Sequence, residues 1–132
     1  MFNLEKLMLK VKLGMLVDAK DSLETIGKEP LSSVQRKNFY KVYNKATDEI
    51  AIYEKIYTEK AQELGNKNEN GTLIINDKNM IGFTQENGAK FLIEINSLRD
   101  IEIELEGDQL NIDELDIKMS AHNQKMLKWL FI

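Results

Sequence analysis

From Met8 the chain alternates, with Leu9, Val11 and Leu13 on one side and Lys10 and Lys12 on the other, the period of a strand with one buried face. Gly14 breaks the alternation. Leu16, Ala19, Leu23 and Ile26 then recur at three- and four-residue intervals, which predicts a helix over Met15 to Ile26 with Gly27 as its left-handed C-terminal cap. A helix starting as early as Leu4 competes with the strand. Lys28 to Leu31, with Pro30, reads as a short connection, since proline stops one helix and can lead into the next.

The strongest pattern follows. Ser32 and Gln35 have the spacing of a capping box, in which each side chain satisfies a backbone N–H of the other at a helix start. From Phe39 onward Tyr43, Ala46, Ile50, Tyr53, Tyr57 and Leu64 form a seam at alternating four- and three-residue steps, with Lys60 its one polar member. Val42, Ile52 and Ile56 widen the apolar face beyond a strict seam. A seam confined to one helix is short for a coiled coil and fits a helix laid along its own core, with an oligomer or partner interface as the other use.

Gly65 ends this helix, and the polar stretch Asn66 to Gly71 predicts a turn before a strand over Thr72 to Ile75, with a second turn at Asp77 to Asn79. Thr84 is placed to cap a helix reaching Leu98 with Phe91, Leu92, Ile95 and Leu98 inward. Gly88 weakens that helix, and Phe91, Ile93 and Ile95 also alternate as a strand would. Ile101, Ile103 and Leu105 interleave with Glu102, Glu104 and Glu106 as a strand with one wet face, ending at Gly107-Asp108. Leu110 to Ile112 is expected to pair beside it, and Ile117 to Met119 to form a further extended piece. Ser120 caps a last helix with Met126, Leu127 and Leu130 on one face, and Trp129-Leu130-Phe131-Ile132 is expected to dock into the core or into another subunit. The fold class is therefore α+β, one domain over residues 1–132, with a long central helix and shorter helices packed on a small, mainly antiparallel sheet.

Composition narrows the chemistry. With 132 residues, 42% of them hydrophobic and 30% charged, the chain has the make-up of a soluble globular domain that folds without staples. It contains no Cys and one His, which removes disulfides, thiolate metal sites and Cys nucleophiles and leaves too few imidazoles for the usual catalytic zinc sites. The opening stretch carries Glu5, Lys6, Lys10 and Lys12 among its apolar residues, unlike a signal peptide, and no run approaches transmembrane length. The net charge of −4 argues against general binding to nucleic acid or to a membrane surface. Residues 1–60 carry 11 basic and 9 acidic side chains, and residues 61–132 carry 7 and 13. Between Glu94 and Asp116 the carboxylates of Glu94, Asp100, Glu102, Glu104, Glu106, Asp108, Asp113, Glu114 and Asp116 face Arg99 alone, a solvated sheet face or a row that mimics spaced phosphates.

Four candidate sites arise. Asn66 to Asp77 resembles an EF-hand loop, with oxygen side chains at positions one, three, five and twelve and Gly at six. Asn stands where acids are favoured, so an Asn/Gly-rich hairpin turn is the preferred reading and no metal-ligand set is assigned. Arg36, Lys37, Lys41 and Lys45 make a basic stripe near a helix N-terminus, a candidate anion site or a plain solvated face. Glu102, Glu104 and Glu106, and separately Trp129, Leu130 and Phe131, are candidate partner-binding surfaces. His122 lies in the first turn after Ser120 and has no nucleophile elbow to serve, and neither a P-loop nor GxGxxG occurs. No catalytic residue and no cofactor are assigned.

In order, Leu9-Lys10-Val11-Lys12-Leu13-Gly14 with Leu16-Val17, the long Tyr- and Glu-bearing helix, the Asn-Glu-Asn-Gly loop, and Leu110 to Ser120 before a short Leu-rich helix resemble a family of small uncharacterised phage and prophage proteins. The resemblance spans nearly the whole chain as pattern, departing before Met8, at Gly88 and at the apolar ending, and brings no active-site residues. It implies a phage accessory role in the host cytoplasm. The expected function is a non-enzymatic protein that binds a host factor, such as a defence component. The alternatives are a virion or assembly component forming a homo-oligomer, and a sponge for a phosphate-bearing small molecule.

Overall fold

In the computed structural model the long helix is α3, Ser33–Leu64, and the residues described are 8–107, 109–111, 115 and 119–131. The capping box is formed as expected: Ser32 Oγ accepts from Gln35 N at 3.2 Å and Gln35 Oε1 accepts from Ser32 N at 2.9 Å. One stripe of α3 is buried, comprising Phe39, Val42, Ala46, Ile50, Tyr53 and Ala61. Tyr43 and Leu64 are half-buried beside it, while Tyr57 and Ile52 stay exposed, so the seam covers less of the helix circumference than its sequence suggests.

The other elements are arranged to cover that stripe. They are β1 (Met8–Lys12), α1 (Leu13–Asp18), α2 (Lys20–Gly27), α4 (Gln85–Arg99), β2 (Glu102–Glu106) and α5 (Ala121–Met126). α2 runs antiparallel to α3: Gly27 lies against the Phe39 ring, and Lys20 pairs with Glu54 at 2.9 Å. Gly107, following β2, lies against Val42. α4 contributes Phe91, edge-on to Tyr57 at a centroid separation of 5.1 Å.

β1 and β2 form a two-stranded antiparallel sheet with Leu9 opposite Leu105, Val11 opposite Ile103, Lys10 opposite Glu104 and Lys12 opposite Glu102. Val11, Ile103 and Leu105 are buried and the charged residues face outward, as period-two alternation requires. The α+β class and the small antiparallel sheet therefore agree with the sequence pattern.

Several local expectations need correction. The helix expected over Met15 to Ile26 is two helices, broken at Ala19 with φ −90° and ψ 0°. Leu16, Ala19 and Leu23 are all fully buried, so apolar spacing runs straight through the bend and gives no sign of it. α1 is clamped from α4 just before the bend, where Arg99 donates to Asp18 Oδ2 at 2.8 Å and to the Gly14 carbonyl at 3.3 Å. The bond to Asp18 raises the pKa of the Arg99 guanidinium, so this cation persists across the accessible pH range. Gly14 leaves room for that side chain, since a Cβ there would lie 3.0 Å from Arg99 Nε.

Gly27 is not a left-handed cap; α2 runs through it and ends at Lys28 with φ −90°. Thr84 to Leu98 is helical, with Thr84 Oγ1 accepting from Asn87 N, but Leu92 points outward. Thr72 to Ile75 makes isolated bridges in place of a strand, Leu73 with Lys67 and Ile75 with Ile81. Leu110 does not pair beside β2; its N–H donates to the Leu130 carbonyl and it bridges Phe131 in parallel. The helix start at Leu4, the extended piece at Ile117, and Asp108, Ile112, Asp113, Glu114, Asp116 and Ile132 lie outside the described residues.

Gly65 ends α3 in extended conformation, φ −68°, where packing rather than a left-handed turn selects glycine. A Cβ there would meet Leu73 Cδ2 at 2.6 Å, Ile81 Cγ2 at 2.9 Å and the Ala61 carbonyl at 2.6 Å. Gly65→Ala is expected to destabilise the fold by about 1–3 kcal/mol, because the overlap outweighs the entropy removed from the unfolded chain. Chemical denaturation measures this, and an unchanged or raised midpoint would contradict the packing.

Candidate functional site

The acidic strand face and the basic stripe belong to one place. β2 runs beside α3, so Glu104 and Glu106 share a cleft of about 390 Å³ with Lys41 and Lys45. Across the sheet Lys10 Nζ lies 4.0 Å from Glu102, and Lys12 Nζ lies 3.6 Å from Asp100. Each of these exposed pairs stabilises little, roughly 0–1 kcal/mol, but together they offset part of the field of the carboxylate row. A phosphate mimic needs an uncompensated row, and β1 compensates this one in part.

The basic stripe is divided in the same way. Arg36 is half-buried and spends its guanidinium on backbone, donating to the carbonyls of Glu29 at 2.7 Å and Gly27 at 3.1 Å, with Tyr40 Oη at 3.3 Å. It ties the end of α2 to the start of α3. Lys45 donates to Glu49 at 2.9 Å, and that bond raises the pKa of its ammonium. Lys37 is exposed on a shallow groove with Ser33, Tyr40 and Asn44. An anion held between Lys41 and Lys45 would sit against Glu104 and Glu106, which opposes phosphate capture there.

In the EF-hand-like loop the side-chain oxygen of Asn68, at the third position, is used internally. Asn68 Oδ1 accepts from Asn70 N at 2.9 Å and Thr72 N at 3.0 Å; eight residues on, Asn76 Oδ1 accepts from Lys78 N and Met80 N at 2.9 Å each. Both are Asx turns, and each has a residue of positive φ three positions after the Asn, Gly71 at 77° and Asn79 at 62°. Backbone bonds from Ile74 N to Asn66 O, Gly82 N to Ile74 O and Asn66 N to Gly82 O join three positions spaced by eight into a closed triangle. The next helix begins only at Gln85, so no helix–loop–helix is formed. The sequence carries this repeat as Asn68, Asn76 and Thr84, three side-chain acceptors at a spacing of eight.

Of the ending Trp129-Leu130-Phe131, Leu130 is fully buried in the chain's own core, and Trp129 and Phe131 pack half-buried against it. Leu130 thus faces inward, and the docking into a core is intramolecular. Gln109 Nε2 holds the segment through the Trp129 carbonyl at 3.1 Å. His122 is exposed in the first turn of α5, where Ser120 Oγ caps Asn123 N.

An apolar surface lies elsewhere, where the sequence reading placed no site. α3 and α4 leave between them a groove of about 240 Å³ lined by Ile56, Ile95, Leu98 and Ile101, with Ser97 and the charged Lys60 and Glu94 on its walls. Ile101, expected inward with Ile103, is 48% exposed because it precedes β2. Ile52 stands one turn before Ile56 on the same face of α3, 55% exposed, and Ile93 stands one turn before Ser97 on α4, 67% exposed. The sequence signal was the position of Ile52, two residues past Ile50 and so about 200° around the helix from the buried stripe.

Among the described residues no helix is long and apolar enough to cross a membrane, and no cluster of three His, Asp or Glu side chains is placed to hold a metal. Compared with family models, curated proteins and solved structures, the chain matches none.

The charge balance of the sheet is open to direct test. Glu104→Lys sets a cation opposite Lys10 and beside Lys41 and Lys45. It is expected to cost about 0.5–1 kcal/mol at low ionic strength and less at high salt, measured by denaturation in both. An equal cost in the two buffers would remove the electrostatic account. The loop makes a second prediction: Asn68→Ala should lower stability by about 1 kcal/mol by orphaning two N–H groups, while added calcium leaves the parent melting curve unmoved. A calcium-dependent rise in the midpoint would contradict the Asx-turn assignment.

Proposed function

We propose that the chain is a non-enzymatic docking protein, an accessory protein of the phage kind its sequence pattern resembles, that acts in the host cell by engaging a protein partner through an apolar surface. The observation that carries this reading is the strip formed by Ile52, Ile56 and Ile101, with Ile93 and Leu98 beside it. Neighbouring isoleucines exposed on two helices and a strand entry form a contiguous surface, which scattered single residues do not, and contiguous apolar surface with a polar rim is the usual anatomy of an interface. The charged cleft at Glu104, Glu106, Lys41 and Lys45 offers a mixed polar surface on another part of β2, suited to fixing orientation more than to supplying affinity.

The test is site-specific photo-crosslinking in infected host cells, with the photoreactive residue placed at Ile101 in one variant and at the exposed Glu69 in another. A discrete protein adduct from position 101 and none from position 69 is the expected outcome. No adduct from 101, or the same adducts from both, would overturn the reading. Ile56→Asp should reduce the yield from position 101 at least tenfold without unfolding the chain, since Ile56 is not among the fully buried side chains.

A further inference from the structure

Resting on that docking reading, we infer that the occupant of the α3–α4 groove is a second copy of this chain, related by a two-fold axis running along the groove. The charges on the two walls carry the inference. Lys60 stands on the α3 wall and Glu94 on the α4 wall, with Ile56, Leu98 and Ile101 between them. Rotation by half a turn about the groove direction lays α3 of one copy over α4 of the other. Lys60 then faces the partner's Glu94, and Glu94 faces the partner's Lys60, while the apolar floor meets its own image.

A self-complementary patch is what a two-fold interface demands, because every contact is made twice with the roles exchanged. A groove with both walls of one sign would repel its own copy; this one carries one cation and one anion on opposite sides. The existing partner of Lys60 does not prevent the exchange. Lys60 reaches Glu63 at 3.3 Å on the same helix, a solvent-facing pair three residues apart, and such pairs are weak. Ile52 extends the apolar surface on the α3 wall toward the Ile101 end of the groove and Ile93 extends it on the α4 wall toward the Lys60 end, so in the assembled pair the Ile52 side of one copy covers the Ile101 end of the other.

Sedimentation equilibrium on the full chain tests this. The parent chain should show a reversible, concentration-dependent dimer. Lys60→Glu alone sets two carboxylates against each other at both contacts, and Glu94→Lys alone sets two cations, so each variant should weaken self-association at least tenfold. Mixing the two single variants should restore a dimer containing one of each, because both contacts again join opposite charges. Circular dichroism on each variant checks that it has folded.

A parent chain that stays monomeric at the highest concentration overturns the second-copy inference. Dimers that persist in both single variants, or a mixture that fails to associate, also overturn it, since the contact would then lie elsewhere. The docking reading fails separately. If position 101 crosslinks a different protein while the parent chain is monomeric, the groove is a docking surface for that protein and the inference alone is lost. If position 101 crosslinks nothing, both are lost.

Discussion

Everything in this fold answers to one constraint, a helix of 32 residues with a single apolar stripe that has to be kept from water. Phe39, Val42 and Ala46 are fully buried and Ile50 nearly so, and burying a large apolar side chain stabilises by about 1.5–3 kcal/mol. No single neighbour is long enough to cover the stripe. α2 covers it near Phe39, the end of β2 near Val42, and α4 near Tyr53 and Tyr57. The cover is therefore assembled from pieces far apart in sequence, and polar clamps fix the pieces in place. Arg36 holds the end of α2 to α3, and Arg99 joins α4 to Asp18 and Gly14 of α1.

The same arrangement decides what the charges do. Sequence alone divides the chain into a basic first part and an acidic remainder. Folding sets Lys10 and Lys12 across from Glu104 and Glu102, and Lys41 and Lys45 beside Glu104 and Glu106, so the two signs are interleaved on one surface. On the proposed docking reading, a surface of that kind would orient a partner, and the apolar strip along α3 and α4 would provide contact area. The strip exists because the stripe on α3 is narrow: the cover that buries Ile50 and Tyr53 leaves Ile52 outside it and Ile56 only half-covered.

The legible parts of the sequence were those governed by local rules. The capping box at Ser32, the caps at Thr84 and Ser120 and the period-two alternation of β2 follow from residues within a turn of one another, and all are formed. What escaped depends on distant partners. The α1 segment before the bend at Ala19 is held by Arg99, some eighty residues away in sequence, and Leu110 pairs with Phe131 because the chain's ending folds back over it. The acidic row is isolated in sequence because the lysines beside it lie on β1 and α3, and the short bridges around Asn66 to Gly82 follow a spacing of eight that neither helix nor strand periodicity detects.

Native-state hydrogen exchange tests the role of α3 most directly. If the buried stripe is what the other elements are assembled on, amides of Val42, Ala46, Ile50 and Tyr53 exchange only through global unfolding, and their opening free energies equal the stability from denaturation. Amides of α5, a short helix with no buried residue, open at lower cost. Exchange of the Val42 to Tyr53 amides at free energies well below global stability, with β1 and β2 still protected, would show that the sheet stands without the helix and would contradict the account.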